Sequence, residues 1–136
     1  MFRKLLLLGV VSGLLAGVLA YIYSRVYAHY LSTDAGYADY GTIATPVKMI
    51  VASVIGGLVA AVGYALLHRL LGVKTDAVFN LLFTILSFAS ILGPIATKLP
   101  LELDKPELFP WLVMPMHLFP VLGWLTLKPL FFPPKA

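Results

Sequence analysis

Between Lys4 and Arg25 the sequence reads LLLLGVVSGLLAGVLAYIYS, a run from residue 5 to residue 24 without one charged side chain. In water, a helix apolar on every face must be covered on every face; in lipid, the same helix satisfies all its backbone donors and acceptors internally. About 20 apolar residues at roughly 1.5 Å rise cross a hydrocarbon core of about 30 Å. Three later segments meet the same requirement. Spans are expected at about 5–27, 47–67, 77–96 and 109–127, joined by short connections except for a loop near 29–46. With 60% hydrophobic residues, 12% charged residues and a mean hydropathy of +0.94, too little polar chain remains for a water-soluble domain. The expected fold is an all-α membrane protein, one domain over residues 1–136, built as a four-transmembrane-helix antiparallel bundle.

Lysine and arginine set the expected orientation. Arg3, Lys4, Arg69, Lys74, Lys128 and Lys135 fall on one side, with Asp76 as the acid among them. Arg25, Lys48, Lys98 and Lys105 fall on the other, with Asp34, Asp39, Glu102, Asp104 and Glu107. Six basic residues against four place both termini in the cytoplasm. Tyr21, Tyr23, Tyr27, Tyr30, Tyr37 and Tyr40 gather at the outer end of the first span, as aromatic belts do at headgroup level. A basic start and an apolar run ending in Val18-Leu19-Ala20 also have the outline of a cleavable signal peptide, but the run is long enough to be kept as a span. The net charge of +4 is spread as a topology signal rather than a nucleic-acid patch, so no nucleic-acid partner is expected. The absence of cysteine excludes disulfides, thiolate metal sites and cysteine nucleophiles.

Small residues follow a helical period in the first two spans. At 100° per residue, Gly9, Ser12, Gly13, Ala16, Gly17 and Ala20 share one face, and Leu7, Val11, Leu14, Leu15 and Val18 lie opposite. The second span carries Ser53, Gly56, Gly57, Ala60 and Gly63 on a comparable face. Close backbone approach at small residues is a main source of helix association in lipid, where no hydrophobic drive separates helix from solvent. The two faces are therefore expected to pack on each other, with Tyr64 level with Gly9 and Ser12. Homodimerisation through the first helix is the alternative use of the same face.

Chemistry concentrates in PWLVMPMHLFPVLGW, residues 110–124, where His117 stands between Pro115 and Pro120. On the third span Asn80, Thr84 and Ser87 recur at helical spacing, with Ser90 and Pro94 near the edge of the stripe. Counting inward from the outer surface, His117 lies level with Ser87 to Ser90. An ionisable residue at that depth is either a working group or one satisfied locally. The first reading makes it a proton relay or a ligand grip; the second pairs a neutral imidazole with Ser87, with Ser90 or with the Met116 carbonyl that Pro120 leaves without its usual partner. Loss of activity in His117→Ala belongs to the first, and tolerance of His117→Gln to the second. His29, His68 and His117 lie at different depths and cannot share an ion, so no metal is expected. Glu102, Asp104 and Glu107 match no calcium loop and read, like Asp34 and Asp39, as solvated loop charge. Arg25 reads as a snorkelling side chain. Neither a nucleophile elbow nor a phosphate-binding glycine loop is present.

The basic start, the Ser-x(3)-Pro step from Ser90 to Pro94 and the Met116-His117 pair resemble a family of small four-helix bacterial membrane proteins of unknown function. That resemblance implies a multi-pass protein of the bacterial inner membrane and brings no activity with it. The residues themselves lead to a non-enzymatic membrane protein, an accessory subunit or homo-oligomer among membrane lipids, with no cofactor. The alternative is a small-molecule or proton-coupled transporter or binding protein with a midplane site formed by His117, Ser87, Ser90, Asn80 and Thr84. The two halves lack the inverted repeat that usually accompanies such sites. An enzyme using His117 as a base would want a second catalytic group.

Overall fold

Threonine followed by proline opens a helix well: the hydroxyl caps a free backbone donor, and proline has no donor to satisfy in the first turn. Thr45 and Pro46 do this for the second helix, where Thr45 Oγ1 accepts a hydrogen bond from the Lys48 amide at 3.3 Å. The computed structural model describes residues 1–31, 40, 43–99 and 106–133. In them the chain forms α1 (Phe2–Leu31), α2 (Pro46–Leu71), a 3-10 turn (Gly72–Lys74), α3 (Thr75–Ser90), α4 (Leu92–Ala96), α5 (Leu108–Met116) and α6 (Phe119–Phe131). No strand occurs among the described residues. Asp34, Asp39, Tyr37, Glu102, Asp104, Lys105 and Lys135 lie outside them.

Three helical stretches are long and apolar enough to cross a membrane: Phe2–Tyr30, Pro46–Ala96 and Leu108–Phe131. The middle one is 51 residues long and contains both the second and the third expected spans. It doubles back at Gly72, whose φ of 55° and ψ of −120° suit a residue without a side chain. The Gly72 amide closes α2 on the His68 carbonyl, and Thr75 Oγ1 donates to the Gly72 carbonyl at 2.7 Å. Beyond the turn, the Tyr64 hydroxyl of α2 donates to the Asp76 carboxylate of α3, and the Phe79 ring stands edge-on to Tyr64 at 5.2 Å.

Glycine seats α1 on α2. A Cβ added at Gly13 would come within 2.6 Å of the Ser53 carbonyl oxygen and of Val54 Cα, and one at Gly17 within 2.7 Å of Ile50 Cα. Gly9 and Gly57 face each other so closely that a side chain on either would strike the carbonyl of the other. The α2 side of this seam is Ile50, Val54, Gly57 and Ala61, at the i, i+4, i+7, i+11 spacing of one helix face. Gly56 stands apart from it: a Cβ there would meet nothing within 4 Å. Gly63 faces Phe79 of α3 rather than α1, and Ala60 is buried at the edge of the seam. On α1, Leu7, Leu14, Leu15 and Val18 are exposed on the side away from this contact.

The neighbouring face of α1 receives α6. Gly123 lets the last helix approach the Ser12 carbonyl, and Leu5, Leu8, Tyr64, Phe79 and Trp124 close into a core between α1, α2, α3 and α6. At the opposite end, Tyr23 and Tyr27 donate to the backbone carbonyls of Trp111 at 3.1 Å and Leu108 at 2.8 Å, tying α1 to α5. Tyr40, Phe109 and Leu112 form a second, smaller core there.

The seam and the open position next to it respond differently to one methyl group. Gly57→Ala is expected to cost about 1–3 kcal/mol, because backbone must move to admit it. Gly56→Ala is expected to leave stability unchanged or raise it by up to about 1 kcal/mol through helix propensity. Thermal unfolding of the two variants in one detergent measures the difference; equal effects would contradict the seam.

Candidate functional site

Where α2 leaves α1 and diverges from α3, its remaining small residues face space. A partly open cavity of about 660 Å³ lies between α2, α3, α5 and the start of α6. Ala52, Ser53, Gly56 and Ala60 form its floor; Phe79, Leu82, Phe83, Leu86, Ser87 and Ser90 line the α3 wall; Val113, Met116, His117 and Pro120 line the other. Lys48 stands at the end near Ile43 and Ala44, and Leu67 at the end near the turn. The volume lies within the roughly 300–1,000 Å³ of sites that take one small molecule. Small side chains on α2 make this space in the same way that they make the seam with α1, by leaving volume that no neighbour fills.

His117 sits where the last helical segment breaks. Pro115 lies inside α5 and Pro120 in the first turn of α6. Between them the backbone tightens, with the His117 amide on the Met114 carbonyl at 3.2 Å and the Leu118 amide on the Pro115 carbonyl at 3.1 Å. The break turns the imidazole toward α3, where Nδ1 lies 2.9 Å from Ser90 Oγ. That hydroxyl also lies 2.7 Å from the Ser87 carbonyl, to which it donates. A serine has one proton to give. When that proton goes to Ser87, Ser90 accepts from His117 and Nδ1 carries the hydrogen, the tautomer that satisfies both contacts of the hydroxyl at once. In the neutral ring Nε2 is then a bare acceptor, and no partner holds it among the described residues.

The five residues of the expected midplane site divide. His117, Ser87 and Ser90 line the cavity together; Asn80 and Thr84 do not. At 100° per residue Asn80 and Thr84 turn away from the wall formed by Phe79, Phe83 and Leu86, although Ser87 lies close enough to both faces to belong to either. Asn80 Oδ1 is buried and has no hydrogen-bond partner among the described residues, as have Trp124 Nε1 and His68 Nδ1. Among the described residues no group of histidines and carboxylates is arranged to hold a metal ion.

A second polar cluster was not legible as a site. Lys128 on α6 is buried, its Nζ 2.5 Å from Asp76 Oδ1 and 4.6 Å from the centre of the Tyr64 ring. Asp76 thus accepts from both Tyr64 and Lys128, while its other side remains exposed. The ring of His68 stacks on Tyr64. Three helices, α2, α3 and α6, converge here. Its sequence signal was the placement of Asp76 as the acid among six bases on one side of the chain. No protein-family profile, curated protein or solved structure matches the chain.

Nitrogen-15 NMR of histidine-labelled protein is expected to show His117 as the neutral Nδ1–H form, and Ser90→Ala to remove that preference. A dominant Nε2–H form in the unsubstituted protein would reverse the assignment of the hydrogen bond. In the Tyr64–Asp76–Lys128 cluster, Lys128→Met is expected to cost about 1–2 kcal/mol, less than for a fully buried pair because Asp76 can rehydrate. The cost is expected to fall in an Asp76→Asn background, and a double-mutant cycle of unfolding measures that coupling.

Proposed function

We propose that this chain is a four-span protein of a bacterial inner membrane, with both termini in the cytoplasm, that binds one amphipathic small molecule in the cavity beside His117. The observation that carries the binding role is the unpartnered Nε2 edge of a histidine that is itself anchored by Ser90 in the wall of an apolar cavity. Binding needs no covalent step, and the role is non-enzymatic. Homodimerisation through the small-residue face of α1 would need that face free, and α2 covers Gly9, Gly13 and Gly17; an accessory-subunit or homo-oligomeric role would use other helix faces.

The four-span reading is supported by length. Divided at the turn, the middle stretch gives α2 with 26 residues and a second arm from Thr75 to Ala96, roughly 39 Å and 33 Å long, each suited to a core of about 30 Å. The meeting of Asp76 with Lys128 supports placing the α2–α3 turn and the end of α6 on one side, where the basic residues put the cytoplasm.

Because the chain has no cysteine, introduced ones report topology without background. Lys98→Cys is expected to react with an impermeant maleimide in intact cells and Lys74→Cys only after lysis; the opposite pattern overturns the orientation. For binding, native mass spectrometry of protein released from its own membrane in mild detergent is expected to show a bound mass of a few hundred daltons, at the scale of one small molecule. Its loss in Gly56→Leu, which fills the cavity without touching the seam, supports the site. A bare polypeptide mass in the unsubstituted protein counts against it.

A further inference from the structure

We propose that the cavity takes a single-chain lipid whose head carries an anionic group at its outer end and a hydroxyl further in, that is, a lysophospholipid. The proposal rests on the reading of the cavity as a ligand site and adds which chemistry occupies it.

The cavity is long and sorted by polarity. From Lys48 to Leu67 it follows 19 residues of α2, roughly 28 Å. On each wall the polar residues lie outward of the apolar ones, Lys48 and Ser53 outward of Leu67 on α2, and Ser87 and Ser90 outward of Phe79, Leu82 and Phe83 on α3, with His117 level with Ser90. Such a gradient suits a molecule that keeps its head toward the outer surface and sends a hydrocarbon chain inward.

Two groups in the outer part ask for different chemistry. Lys48 Nζ donates to the Ile43 carbonyl at 3.2 Å and has two further hydrogens to give; no carboxylate pairs with it among the described residues. It calls for an anion. With Nδ1 protonated toward Ser90, His117 Nε2 holds a lone pair and calls for a donor. Lys48 lies two residues into α2 and His117 nine residues into α5, so their levels differ by about 10 Å along helices that both start at the outer end. A fatty acid has one head group and meets one of the two. A glycerol phosphate carries an anion at one end, a free hydroxyl next to the ester and a single chain beyond, in the order that Lys48, His117 and the apolar half present. A volume of about 660 Å³ has room for one such chain, in the size range of sites for single small molecules.

Trp124 offers a reporter. Its buried ring lies 5.3 Å from that of Phe79 and 6.1 Å from that of Phe83, both in the inner wall of the cavity. The sequence has two tryptophans, and Trp111→Phe removes the lipid-exposed one. In phosphatidylcholine nanodiscs, lysophosphatidic acid brominated at its chain end is expected to quench Trp124 saturably and to be displaced by the unbrominated lipid. Competition by the methyl ether of its glycerol hydroxyl, by palmitic acid and by lysophosphatidylcholine is expected to be roughly five- to tenfold weaker. His117→Leu should erase the preference over the ether, and Lys48→Gln the preference over the choline lipid.

Saturable quenching displaced equally by all four competitors would overturn the lysophospholipid assignment while leaving a ligand site in place. Quenching that rises linearly with probe, matches that from chain-brominated phosphatidylcholine and is unchanged by Gly56→Leu would overturn both, leaving ordinary bilayer contact. The competitor series uses the cavity without substitution in its walls, so it decides the assignment even where Gly56→Leu or His117→Leu does not fold.

Discussion

Two helix backbones approach most closely where neither carries a side chain, and Gly9 and Gly57 make such an approach in this protein. Everything else is arranged around it. With α1 held by Gly9, Gly13 and Gly17, its adjacent face, bearing Leu5, Leu8 and Ser12, is presented to α6, where Gly123 and Trp124 receive it. With α2 held by Ile50, Val54 and Gly57, its other small residues are turned away from α1 and toward α3 and α5. A stripe of small residues broader than one contact therefore has two effects: half of it brings a helix close, and half keeps the next ones from filling the space.

His117 illustrates why an alternative between structural and functional roles is too coarse for an imidazole. The ring has two nitrogens with different obligations. Nδ1 is bound to Ser90, which fixes the orientation of the ring. Nε2 remains available because the other is satisfied. The prolines contribute by setting the angle of the segment: the tightened turn from Met114 to Leu118 lets a residue in a membrane-length helix lean toward α3. Substituting the prolines changes where the histidine points before it changes what it is.

Much of the architecture was legible in the order of the residues. Apolar runs marked the helical stretches, and depth counting put His117 level with Ser87 and Ser90, because rise per residue is the same in every helix. The glycines of α1 were legible as a contact for the same reason: no bulky residue interrupts their face. Rotation about the α2 axis was not. Ser53, Gly56, Gly57, Ala60 and Gly63 are all small, so residue type alone does not say that Gly57 meets α1 while Gly56 faces open space and Gly63 faces Phe79. The same ambiguity joined Asn80 and Thr84 to Ser87 in one stripe, although the cavity wall cuts between them. The Lys128–Asp76–Tyr64 contact was hidden because charges near a membrane surface are first read as orientation signals, and pairing between distant helices leaves no periodic trace.

That contact also imposes an order on assembly. Tyr64 and Asp76 meet across a tight turn and can do so as soon as α2 and α3 exist, but the cation between them arrives on α6. Until it does, the inner end of the α2–α3 pair holds a carboxylate with one neutral partner, and Trp124 has not yet filled the core between Tyr64 and Phe79. The core behind the Phe79 and Phe83 wall of the cavity is thus completed only when α6 arrives. During synthesis the α2–α3 pair therefore exists before its Asp76 charge is balanced, and the arrival of Lys128 both neutralises that carboxylate and seats α6 against α2 and α3.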